Sequence, residues 1–207
     1  MRKATKTVAT WLGVLAGLAG LEHGYFEILQ GNVRPPGLMF ASMGPPCDPA
    51  RIWNACEPAM SILSNFLITG ILALLLSLAV IIWSAGFIQH RIGGLVLILL
   101  SVALLLFGGG FFPPLIGIIG GAAGMQINRT LPGKTPSGIQ RLAAKLWPWT
   151  LAILVAWLLG QFLVGYLFND FLKSIMGFGL LLILSMLPLS VYTAYASDVI
   201  HAVPQAG

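Results

Sequence analysis

Four apolar runs of membrane-spanning length, at about residues 8–28, 59–86, 147–168 and 174–195, limit what this chain can fold into. A helix needs ~20 apolar residues to cross a bilayer's hydrocarbon core. Only 8% of the 207 residues are charged, against about 25% in ordinary soluble domains, so no polar coat exists for that much apolar surface. Backbone polar groups in hydrocarbon must be satisfied within their own segment, which makes these runs helices. The fold expected is all-α, a polytopic transmembrane helical bundle in a single domain over residues 1–207, with the lipid bilayer as its first partner. The basic residues behind the net charge of +5 stand singly between apolar runs. Without an aromatic-basic patch to follow a phosphate backbone, nucleic acid is excluded as a partner.

Residues 92–127 are harder to read. They are too long for one helix and short for two, and Gly108–Pro114 (GGGFFPP) interrupts them. Three glycines followed by two prolines break a helix. If the break reverses the chain, there are six spans, the extra two being about 93–107 and 111–126. One side of the membrane then carries Arg2, Lys3, Lys6, Arg91, Arg129, Lys134, Arg141 and Lys145, and the other carries Arg34, Arg51 and Lys173. If it is only a break there are five spans and the bias vanishes. The positive-inside rule selects six spans with both termini cytoplasmic. A re-entrant hairpin is the alternative for the two short members. The basic start MRKATK and the run after it imitate a signal peptide, but no small-residue cleavage site follows, so a retained first span is expected.

This orientation puts loop 30–58 outside and loop 127–146 in the cytoplasm. The outer loop holds Cys47 and Cys56, which could form a disulfide in an oxidising compartment. In the cytoplasmic loop, Ser137 and Gln140 have capping-box spacing, and Ile139, Leu142, Ala143 and Leu146 share a face. That pattern predicts a short interfacial helix.

Two stripes of small residues follow helical spacing. Gly13, Gly17, Gly20 and Gly24 fall within about 60° of one another, and Gly117, Gly120, Gly121 and Gly124 within about 100°. Such stripes let helix backbones approach closely, so each helix is expected to pack tightly, on the other or on another neighbour. The same first helix carries Glu22, His23 and Glu27. His23 and Glu27 share a face beside the glycine stripe, whereas Glu22 points away toward a separate partner. Arg34 and Arg51 are candidate charge partners in the outer loop.

Ionisable residues within spans are costly and mark function by default. Glu22, His23 and Glu27 therefore form a candidate polar membrane site, for a proton relay or for a small solute or ion. His23 and Glu27 also suit zinc, iron or manganese, or acid–base catalysis in a membrane enzyme. The structural alternative is a pairing of Glu27 with Arg34. Catalysis would need more polar groups, and the spans offer only Asn65, Thr69, Gln126, Gln161, Asn169 and hydroxyls. No catalytic residue and no cofactor can be assigned. A third reading is an assembly or accessory subunit packed through the glycine stripes. So small a chain would work as a homo-oligomer or beside a membrane partner protein. Elsewhere, Asp170 and Lys173 look like a local ion pair, and Asp198 with His201 like a solvated tail.

The stretches GLEHGYFEILQGN, GGLVLILLSVALLLFGGGFFPPLIGIIGG and AKLWPW resemble an uncharacterised family of small prokaryotic multi-pass membrane proteins. The resemblance implies a prokaryotic cell membrane and brings no activity, cofactor or catalytic residue with it.

Overall fold

The computed structural model describes residues 1–42, 53–54, 57–131 and 135–202. Among them it is all-α apart from one small hairpin. The helices are α1 (Lys3–Gln30), α2 (Phe66–Gly86), α3 (Gly93–Leu106), α4 (Phe112–Gly124), α5 (Gly138–Leu146), α6 (Trp149–Leu167) and α7 (Asn169–Ala202). Strands β1 (Met39–Ala41) and β2 (Pro58–Met60) pair antiparallel, with Phe40 opposite Ala59. Four helices, α1, α2, α6 and α7, are long and apolar enough to cross a membrane.

The second apolar run does not begin as a helix. Residues 58–60 pair as β2, and α2 starts at Phe66, where the Asn65 side chain accepts from the Ile68 N–H at 3.1 Å. A side-chain acceptor just ahead of an apolar run satisfies one of the free donors of the first turn, and here that cap overrides hydropathy.

GGGFFPP reverses the chain. Gly94 at the start of α3 lies against the backbone of Gly121, Gly124 and Met125 at the end of α4, so the two helices form an antiparallel hairpin. Pro113 and Pro114 sit in the first turn of α4, where their missing N–H groups cost nothing. With 14 and 13 residues, α3 and α4 are each ~20 Å long.

Both glycine stripes are used, on different neighbours. The α1 stripe faces α2: Gly13 meets Ser84, Gly17 meets Ser77 and Ile81, Gly20 meets Ser77, and Gly24 meets Gly70. On α4 the stripe is divided, with Gly120 against α1, Gly117 between Ser101 of α3 and Ala16 of α1, and Gly121 and Gly124 against α3 and Ile88. On α1 the residues that α4 meets are Ala9, Leu12, Gly13 and Ala16. α1 is thus the helix on which α2 and α4 both pack, and Leu12, Leu97, Leu154 and Leu187 fill the core around it.

The tail expected at Asp198 is not solvated. Asp198 is buried, and its carboxylate accepts from the backbone N–H groups of Ala4 (3.0 Å) and Thr5 (2.8 Å) and from the Thr5 hydroxyl (2.7 Å). Arg2, the residue preceding α1, makes no side-chain cap, so an acid from α7 caps the first helix. Hydropathy of the last residues cannot reveal this, because the partner lies nearly the whole chain away.

α5 carries the expected capping box: Ser137 accepts from the Gln140 N–H at 3.2 Å, and the Gln140 side chain accepts from the Ser137 N–H at 2.9 Å. Ile139 and Leu142 are exposed, and α5 packs on α7. An amphipathic helix with its apolar face uncovered suits a membrane interface. Lys173 pairs with Asp170 at 2.8 Å, within the first turn of α7.

Candidate functional site

Near its Gln30 end, α1 presents Glu22, His23 and Glu27 to three different partners. Burial deepens from Glu57, in the loop just before β2, through His23 to Glu27. The Glu57 side chain is 30% exposed and that of His23 2%, and Glu27 is fully enclosed at 0%.

His23 is held by the β hairpin. Its Nδ1 lies 2.7 Å from the Ser42 hydroxyl and its Nε2 3.2 Å from the Glu57 carboxylate. Backbone pairing fixes both partners, since the Ser42 N–H donates to the Glu57 carbonyl at 3.0 Å. Gln30 adds a clamp, its Nε2 donating to the Ser42 carbonyl at 2.7 Å. The Ser42 hydroxyl also reaches the Glu57 carbonyl, at 3.1 Å. This geometry serves two protonation states. With a neutral ring protonated on Nε2, that N–H donates to Glu57 and the Ser42 hydroxyl donates to Nδ1. With both nitrogens protonated, Nδ1–H donates to Ser42, whose hydroxyl turns to the Glu57 carbonyl.

Glu27 sits one turn further on, facing α2. One carboxyl oxygen accepts from the Thr69 hydroxyl at 2.5 Å, and the other has no hydrogen-bond partner among the described residues. Glu22 accepts from the Asn54 side chain at 2.7 Å. It faces away from Glu27, and through Asn54 and Glu57 the same outer loop serves both Glu22 and His23.

The GGGFFPP turn closes the site. Gly108 and Gly110 have φ of 88° and 76°, a region costly for residues with a Cβ. A Cβ on Gly108 would collide with the Glu27 carboxylate, and one on Gly110 with the His23 ring. The turn is tied to the hairpin by the Gly108 N–H donating to the Met60 carbonyl at 2.9 Å. Gly108→Ala therefore meets a strained φ and a buried carboxylate together. It is expected to cost about 2–3 kcal/mol, read as a lowered thermal midpoint in detergent. Gly86→Ala, whose Cβ meets nothing within 4 Å, is the control.

Among the described residues no salt bridge joins Arg34 to Glu22 or Glu27. Arg34 is exposed, and Thr69 and Asn54 are the hydrogen-bond partners found for Glu27 and Glu22. Arg51, Cys47 and Cys56 lie outside the described residues, and with them the proposed disulfide. His23 and Glu27, considered above as joint metal ligands, turn to different partners. Among the described residues no three His, Cys, Asp or Glu side chains converge on a metal position.

Sequence reasoning passed over Glu57, Ser42 and Asn54. Their one signal is polarity within a proline-rich loop, and only strand pairing brings the first two to His23. No family model, curated protein or solved structure matches this chain.

Proposed function

We propose that this chain is a six-span protein of a prokaryotic cell membrane, with both termini cytoplasmic, that binds and passes a small cation, in the first instance a proton. The observation that carries the reading is Glu27. It is fully buried in a helix of spanning length, with one carboxyl oxygen free of any partner among the described residues. Such a group is expensive in a membrane, and its unpartnered oxygen is an open acceptor for a proton or a cation. The graded burial from Glu57 through His23 to Glu27 supports entry from the loop side. Further along the α1–α2 seam, Ser77 and Ser84 are buried hydroxyls with no partner among the described residues. Seven residues separate them, about 10 Å at helical rise, so a continuous path along them requires water.

The orientation rests on the excess of basic residues at the Lys3 side, and the six spans on the reversal at GGGFFPP. Short helices joined by an irregular turn are tolerated at membrane depth where protein shelters the turn, as α1 and the hairpin do here. Interrupted helices of this kind often build membrane ion sites. The exposed faces of α6 and α7 would meet lipid or a second copy.

A membrane enzyme is the second reading, favoured by the order hydroxyl, imidazole, carboxylate in Ser42, His23 and Glu57. Complete burial of Ser42 counts against it, because substrate reaches the hydroxyl only if the hairpin lifts. Purified protein in vesicles with an internal pH-sensitive dye separates the two. Under an imposed potential the wild type is expected to carry protons and Glu27→Gln to abolish the flux. Equal flux in both, or none in the wild type, would sink the proton reading. Labelling by a fluorophosphonate that disappears in Ser42→Ala would replace it with the enzyme.

A further inference from the structure

At the Lys3 end of α1, remote from Glu27, two hollows adjoin. One is an open cleft of about 890 Å³ whose lining includes Arg2, Lys3, Arg129 and His201. The other is a groove of about 490 Å³ between α4 and α7, apolar along Ile119, Ala122 and Ala123 on one wall and Val191 and Tyr195 on the other. Arg2 lines both. A cationic hollow and a greasy one thus meet at a single guanidinium.

That guanidinium is fixed in place. Its Nε donates to the Arg129 carbonyl at 3.0 Å and one terminal nitrogen to the Thr130 carbonyl at 3.1 Å, and it stands 5.4 Å from the Tyr195 ring centre. The remaining terminal nitrogen takes no part in those two bonds. Asp198, the acid among the described residues of the cleft, already spends both oxygens on Ala4 and Thr5. It leaves the exposed Lys3 and Arg129 without local compensation from that carboxylate.

We infer that this junction is a binding site for an anionic phospholipid, with an acyl chain in the α4–α7 groove and the phosphate in the cleft beside Arg2, Lys3 and Arg129. Charge complementarity selects the occupant. A soluble anion would use the cleft and leave the groove bare, and a zwitterionic lipid would gain little from three cations. The site lies on the side where basic residues collect, which is where juxtamembrane cations meet anionic headgroups. This inference rests on the membrane reading above but not on cation transport, since no residue of the Glu27 site takes part.

The test uses the full chain in detergent, with phosphatidylglycerol, phosphatidylcholine or glycerol phosphate added. Phosphatidylglycerol is expected to raise the thermal midpoint well above the effect of phosphatidylcholine, and glycerol phosphate to leave it unmoved. Ala122→Phe fills the groove from an exposed position and should abolish the phosphatidylglycerol effect. The double variant Lys3→Gln/Arg129→Gln should reduce the preference for phosphatidylglycerol over phosphatidylcholine by about thirtyfold in lipid-retention mass spectrometry. Equal stabilisation by the two lipids overturns the headgroup assignment, and a shift with glycerol phosphate alone overturns the acyl-chain one. If Ala122→Phe does not fold, the double variant decides: an unchanged lipid preference there refutes the site. A failed proton-flux assay leaves all of these outcomes untouched.

Discussion

Leucine at Gly24 is expected to cost about 3 kcal/mol or more, among the largest losses open to a single substitution in α1. A Cβ there would lie 2.9 Å from the Gly70 carbonyl oxygen and 3.0 Å from the Leu74 nitrogen. The approach is mutual, since a Cβ on Gly70 would come within 2.7 Å of the Gly24 carbonyl and 2.8 Å of the Ile28 nitrogen. These neighbours are helix backbone and cannot turn aside as a side chain would, so α1 and α2 must separate. Separation also stretches the Thr69–Glu27 hydrogen bond, so the proton flux proposed above is expected to fall with stability. Thermal unfolding in detergent checks the first part. In the control, Gly160→Ala in α6, the new Cβ meets nothing within 4 Å, so the change should be neutral or stabilising by up to about 1 kcal/mol. A Gly24→Leu protein that melts with the wild type would mean that the two helices do not cross at these glycines.

Removing the Asp198 carboxylate is the second large effect. Asp198→Ala strands the Ala4 and Thr5 backbone donors and the Thr5 hydroxyl in a buried position, at an expected cost of about 3 kcal/mol. Asparagine keeps one acceptor but turns an NH2 toward a donor, so Asp198→Asn should lose about half as much. Thr5→Val removes one of the bonds and should cost about 1 kcal/mol. Thermal midpoints should therefore fall in the order Thr5→Val, Asp198→Asn, Asp198→Ala. If all three melt with the wild type, the contact between α7 and the start of α1 does not hold the fold together. The result would also separate the two ends of α1, because Glu27 is untouched in each variant.

What could be read from the residues, and what could not, divides along physical lines. Hydropathy over some twenty residues is a local property, and it located the long helices without reference to their neighbours. Local chemistry likewise predicted the α5 capping box and the Asp170–Lys173 pair, since both partners lie within one helical turn. Two prolines after three glycines predicted the break at Gly108–Pro114. The chain does reverse there, as the antiparallel α3–α4 hairpin shows.

The small-residue stripes predicted close packing but not its direction. Both α2, with Gly70, Ala73, Ser77 and Ser84, and α4, with Gly117, Gly120, Gly121 and Gly124, bury small residues, so size alone does not choose the partner of Gly13–Gly24. The β hairpin was missed because a strand of three residues lacks the alternation that identifies longer ones.

From the sequence alone follow an apolar helical chain, the place where it turns back, and three ionisable residues near the end of its first helix. Tertiary structure alone decided their partners: Ser42 and Glu57 for His23, Thr69 for Glu27, Asn54 for Glu22, and Asp198 for the start of α1. Hydropathy and capping act over a few residues, so one segment of chain is enough to reveal them. A buried polar group needs a partner in space, and a folded chain can supply it from any distance along the sequence.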